Sequence, residues 1–183
     1  MPPPHHKQLK RQEIPNQARF LTFSCYQRLP LFRNNRIKDT FIDFLGSTRV
    51  RTEFKLLAWV IMPEHIHILI LPKLPDYPAS KVAWYLKRNS AIKIIARWKE
   101  LDAPILSKIR TPDSKHRFWQ PGGGYDRNII SGPELNEKIH YIHNNPVRRG
   151  LAAHPEDWNW SSAKWYAGDR NDQLPIDDIN RPE

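Results

Sequence analysis

The chain has 183 residues, 39% hydrophobic and 26% charged, with 29 Lys and Arg against 19 Asp and Glu and a formal net charge of +10. That length and apolar content suit one core of ordinary size and exclude wholesale disorder. A single cysteine excludes an internal disulfide and a cysteine-built zinc site, and no apolar run reaches membrane-spanning length, so a soluble cytoplasmic protein is expected.

The basic excess favours polyanionic partners through counterion release. It is concentrated in the middle of the chain: residues 81–127 hold eleven Lys and Arg against four Asp and Glu. Seven Trp, seven Phe and six Tyr are enough to fill a core and still leave rings for stacking on unpaired bases.

Residues 1–17 are polar and Pro-rich and read as a flexible arm. Residues 19–26 read as a buried aromatic strand. Ile37, Phe41, Phe44, Leu45 and Thr48 recur at helical spacing, with Asn34 or Asn35 available as N-cap. Residues 54–62 and 66–71 are apolar runs split by Pro63-Glu64, which predicts an antiparallel hairpin in the sheet centre. A second helix over 78–99 has the apolar stripe Val82, Leu86, Ala91, Ile94, Ile95 and Trp98, and much of the rest is basic. Phe118-Trp119 is taken to end a fourth, shorter strand. Ser131-Gly132-Pro133-Glu134 resembles a capping box opening a third helix, which Pro146 should stop near Asn144 or Asn145.

This order of elements predicts an α+β, ferredoxin-like (split βαβ, RRM-like) antiparallel sheet with helices on one face, plus a helical or irregular C-terminal extension. One domain over 18–168 is expected, followed by an acidic, flexible tail over 169–183.

Three stretches carry chemistry. In Met62-Pro63-Glu64-His65-Ile66-His67, residues two apart on a strand share a face, so His65 and His67 aim both imidazoles at one point, as a divalent metal requires. For an isolated pair, two hydrogen-bonded, partly buried histidines are the commoner case. Gly122-Gly123-Gly124-Tyr125-Asp126-Arg127 joins a backbone that lets a phosphate approach to a tyrosine with an adjacent cation. A tyrosine can attack a phosphodiester, although its reference pKa of about 10 demands positive charge or a base nearby. The third stretch is residues 138–151: the preceding Glu137 with His140 spells one half of a di-iron motif whose partner is missing, and His143-Asn144-Asn145 lacks the last histidine of a His-Asn-His nuclease.

Together these stretches resemble the REP-associated tyrosine transposases, a branch of the single-tyrosine HUH nucleases. The matching pieces are Phe20-Leu-Thr-Phe with Tyr26-Gln27-Arg28 and Pro30-Leu31-Phe32, then Val60 to Ile70, then Gly124-Tyr125-Asp126, then Tyr141-Ile-His-Asn-Asn-Pro-Val147 with Gly150-Leu151, and Trp160-Ser161-Ser162 near Trp165-Tyr166. The resemblance covers residues 19–168. It implies a single-stranded DNA endonuclease and strand transferase acting at hairpin-forming repetitive palindromes. His65 and His67 would hold Mg²⁺ or Mn²⁺, and Tyr125 would form a 5′-phosphotyrosine link.

Related enzymes take a third ligand from an amide about one turn beyond the tyrosine. Ile129 stands four along and cannot ligate, so Asn128 is the substitute. Charge and proximity in sequence nominate Lys87, Arg88, Lys93, Arg110, Lys115, Arg117 and Arg127 as DNA contacts. The partners expected are hairpin-bearing single-stranded DNA at the nucleoid and no membrane, with the protein a monomer or homodimer. The competing expectation is a non-catalytic single-stranded nucleic-acid-binding regulator on an RRM-like sheet.

Overall fold

A computed structural model describes residues 13–122, 124–170 and 174–177. The chain runs β1 (Ala18–Ser24), α1 (Asn35–Thr52), β2 (Lys55–Ile61), β3 (His65–Leu71), α2 (Ala79–Glu100), a one-turn α3 (Ile105–Lys108), β4 (Tyr125–Ile129), α4 (Gly132–Arg148) and a short α5 (Ala163–Tyr166). The four strands form one antiparallel sheet in the order β2-β3-β1-β4. This is the split βαβ arrangement expected from the element order.

Strand alternation sorts the core into two layers. Leu21 and Phe23 of β1, Trp59 and Ile61 of β2 and Ile66, Ile68 and Ile70 of β3 pack beneath α1 and α2, which contribute Phe41, Ile42 and Leu45, and Val82, Leu86, Ile94 and Trp98. Phe20, Val60, Leu69 and Ile129 pack on the other side with Ile142 of α4, flanked by Leu135 and Ile139. The two helices of the split βαβ thus share one face, and the C-terminal extension supplies α4 to the other. Asn34 caps α1 as expected, accepting from the Arg36 amide at 2.9 Å. Ser131 caps α4, while Glu134 reaches back to the Ile130 amide.

Four expectations are revised. The fourth strand lies after the glycine loop, not at Phe118-Trp119; both of those rings are buried, and Trp119 makes only an isolated bridge to Cys25. Gly124 explains the difference. Its φ is +71°, and a Cβ there would run into the Thr22 carbonyl, so only glycine lets β4 close on β1. Next, β2 is an edge strand rather than central. Its outer rim is taken up by later chain: Ile61 N donates to Trp160 O, Ser162 N to Trp59 O and Trp59 N to Ser162 Oγ.

Third, α4 runs through Pro146 to Arg148. A proline in the last turn removes only one helical hydrogen bond, and Pro146 is itself buried, as is Ile142 one turn before it. Finally, part of the expected tail packs. Leu174 and Ile176 are buried in the main core, and Asp177 exchanges hydrogen bonds with Leu56 and pairs with Arg49. Residues 1–12, 123, 171–173 and 178–183 lie outside the described residues. No helix among the described residues is long and apolar enough to cross a membrane.

Candidate functional site

β3 places His65 and His67 two residues apart, hence on one face, and that is the face covered by α4. Their Nε2 atoms lie 3.0 Å apart. The other ring nitrogens are occupied: His67 Nδ1 is 2.7 Å from Thr22 Oγ1, and His65 Nδ1 is 3.1 Å from Glu64 Oε1, which also accepts from Arg149 at 2.9 Å. Holding Nδ1 in this way turns Nε2 inward and fixes the ring plane.

Burial, reinforced by the neighbouring His65, pushes the His67 pKa down to about 3. Burial lowers His65 as well, against the pull of Glu64. Both rings are therefore neutral at physiological pH, and their lone pairs are available to a metal.

The pair opens onto a cavity of about 350 Å³. β1 lines it with Thr22 and Ser24, the turn after β1 with Arg28, the β2–β3 turn with Glu64, and the last turns of α4 with Tyr141, Asn145, Arg148 and Arg149. Tyr141 and Asn145 are four apart on the helix and so share its face. The Tyr141 ring stands 5.4 Å from the His67 ring and 6.0 Å from Phe20, with the Arg148 guanidinium 5.4 Å from its centre. Three arginines around a cavity lined by neutral imidazoles make a place for an anion.

The expected site residues divide. His65 and His67 converge. Tyr125 is on the same sheet face, because Thr22 of β1 pairs with His67 on one side and with Tyr125 on the other. It is nevertheless not among the residues lining the cavity, and it is 51% exposed at the outer strand. Asn128 does not join the histidines: it pairs with Arg19 in the β1–β4 register, so its side chain belongs to the opposite face of the sheet. Arg127 is on the Tyr125 face, paired with Glu134 at 2.7 Å and within hydrogen-bonding reach of Tyr125.

The remaining cations stand away from the cavity. Lys87, Arg88 and Lys93 are on α2, which covers the far face of the sheet; Lys87 donates to the Gly122 carbonyl and Arg88 lies over Trp84. Arg110 and Lys115 belong to a small exposed hairpin closed by the 110–116 bridge, and Arg117 lies 5.9 Å from the Tyr26 ring.

Sequence reasoning alone does not bring Asn145, Arg28, Arg148 and Arg149 into the site, and it ranks Tyr141, with Tyr166, only as an alternative to Tyr125 as nucleophile. For Tyr141 and Asn145 a signal existed, since a tyrosine with an amide four residues on is the helical spacing that the third-ligand rule asks for. A divalent metal fits the donors present. The two Nε2 atoms, 3.0 Å apart, are close enough for both to reach one divalent ion. Among the described residues no group of three or more His, Cys, Asp or Glu gathers, so further donors would be the Asn145 amide, water or substrate oxygens.

Comparison with known proteins agrees with this architecture. The model of the family described as "Transposase IS200 like" matches residues 17–145. A REP-associated tyrosine transposase of Haemophilus influenzae is 28% identical over 136 residues, covering 70% of this chain and 73% of that protein. One from Escherichia coli K12 is 27% identical over 110 residues, 60% of this chain, and the chain spans only 54% of its length. The solved structure of a REP-associated tyrosine transposase bound to a REP hairpin superposes with a TM-score of 0.66 at 19% identity, covering 95% of both chains, and so shares the fold. The chain belongs to the IS200-like transposase family, as the resemblance of its motifs to REP-associated tyrosine transposases led one to expect.

Proposed function

We propose that this protein is a metal-dependent single-stranded DNA endonuclease and strand transferase acting beside hairpin-forming palindromes, with Tyr141 rather than Tyr125 as its nucleophile. The observation that carries the reading is the convergence of His65, His67, Tyr141 and Asn145 on one arginine-rimmed cavity. The REP-associated relatives, and the hairpin held by the solved one, support the choice of substrate.

The scissile phosphate sits among Arg28, Arg148 and Arg149, whose charge offsets that of the phosphoryl oxygens. Tyr141 Oη attacks phosphorus in line. A Tyr Oη–P bond forms and the P–O3′ bond breaks, leaving a 5′-phosphotyrosine and a free 3′-hydroxyl once the leaving oxygen takes a proton. Arg148 stands beside the Tyr141 ring, 5.4 Å from its centre, so one cation neighbours both the attacking side chain and the phosphate. His65, His67 and the Asn145 amide would hold Mg²⁺ or Mn²⁺, and a metal bound there supplies Lewis-acid polarisation of the phosphoryl oxygen. Rejoining reverses the exchange with a different 3′-hydroxyl, so no nucleotide cofactor is consumed.

The decisive experiment incubates labelled hairpin-bearing single strands with Mg²⁺ or Mn²⁺ and seeks a covalent adduct that survives denaturant. Wild type should form it and Tyr141→Phe should not. Adduct from the Phe variant would remove Tyr141 from the role. The limited His, Cys, Asp and Glu donor set among the described residues favours a second reading, a non-catalytic nucleic-acid-binding regulator. Shifts that are only reversible in wild type would support it.

A further inference from the structure

The nucleophile reading leaves Tyr125 without a chemical task, yet its placement is specific. Gly124 holds β4 against the Thr22 carbonyl, in a conformation and at an approach that only glycine allows. The residue that follows is thereby set in the row His67–Thr22–Tyr125 across three strands. With strands ~4.8 Å apart, Tyr125 stands ~10 Å from His67 along the sheet surface.

Between them lies Phe20, stacked on His67 at 5.3 Å and edge-on to Tyr125 at 5.9 Å. Buried Phe20 fixes one edge of the Tyr125 ring, while half of that residue stays open to solvent. Arg127 stands beside it on the same strand face. An exposed ring with a packed base and an adjacent cation, at the margin of an anion cavity, has the make-up of a single-strand stacking platform.

We infer that Tyr125 stacks on an unpaired base of the substrate close to the attacked phosphate, so that Tyr125 and Arg127 hold the strand in register with Tyr141. The inference rests on the proposed reaction for the identity of the strand, although stacking itself can be read by binding alone.

The test uses the full chain and single-stranded oligonucleotides carrying 2-aminopurine at successive positions beside the hairpin foot, without divalent metal so that no cleavage intervenes. Fluorescence quenching at one position is expected with wild type and should persist in Tyr125→Phe, which keeps the ring. Tyr125→Ala should abolish that quenching and weaken binding about 5–150-fold, the factor equivalent to a stacking contribution of about 1–3 kcal/mol. With metal added, Tyr125→Phe should still form the covalent adduct.

Equal quenching and affinity in wild type and Tyr125→Ala would overturn the platform. Loss of the adduct in Tyr125→Phe would overturn it too, by making Tyr125 the nucleophile. Failure of the proposed reaction looks different: no adduct from wild type, while position-specific quenching remains.

Discussion

Thr22→Val should weaken metal binding without disturbing the fold. The substitution keeps the β-branched shape of a strand residue and removes only the hydroxyl that stands 2.7 Å from His67 Nδ1. His67 is 5% exposed, so water cannot readily take the place of the absent partner. Leaving a buried polar group unsatisfied costs about 1–3 kcal/mol. Removing the outer partner of a metal-bound histidine typically lowers metal affinity about 10–100-fold, or about 1.4–2.8 kcal/mol, and the two ranges agree.

Adduct formation titrated with Mn²⁺ at fixed hairpin substrate gives the readout. The half-saturating Mn²⁺ concentration should rise about 10–100-fold, while yield at saturating Mn²⁺ recovers, because both Nε2 donors remain. His67→Ala should not recover at any Mn²⁺ concentration. An unchanged Mn²⁺ midpoint in Thr22→Val would show that the Thr22–His67 contact does not orient a ligand.

Arg148→Ala removes a cavity cation and should flatten the plot of log affinity for single-stranded DNA against log salt by about 0.7 for each phosphate left without its cation, measured by anisotropy between 50 and 300 mM salt (roughly the range over which such slopes are read). An unchanged slope would place Arg148 off the phosphate path. A separate prediction concerns acid stability. Burial, with His140 adding to it, lowers His143 from 6.5 to about 4, and its Nε2 lies 2.9 Å from Ser162 Oγ. The unfolded chain therefore takes up this proton more readily than the fold. His143 leaves stability intact above about pH 6.5 and erodes it as pH falls towards 4, by up to about 3 kcal/mol in all. Urea titrations of His143→Gln between pH 4 and 7.5 should show a shallower decline than wild type, and parallel curves would refute the assignment.

The sheet and the histidine pair were legible in the sequence because both rest on period-two alternation, which needs no knowledge of the rest of the fold. Val60 to Ile70 shows strand, turn, strand and two imidazoles on one face. Choosing between the tyrosines was harder. The glycine loop before Tyr125 looked like a phosphate cradle, whereas Gly124 makes room for the β1 backbone. Pro146 was expected to end α4 at Asn144 or Asn145, which cut Asn145 away from Tyr141; the helix continues, and the two residues line the same cavity. The cations expected to contact DNA stand away from the cavity for a different reason. A charge count along the chain locates Lys87, Arg88 and Lys93 near the motifs in sequence, but only tertiary structure reveals that α2 covers the far side of the sheet.

The rim of β2 has a bearing on how the protein behaves at high concentration. An uncovered outer strand offers a template on which another molecule can build cross-strand pairing. Here Trp160, Ser161, Ser162 and Asp177 occupy that template from within the same chain, and Tyr166 donates to the Leu57 carbonyl beside them. These later residues thus satisfy the β2 rim from within one molecule, and a version shortened ahead of Trp160 should leave that rim's backbone groups open to pairing with a neighbour.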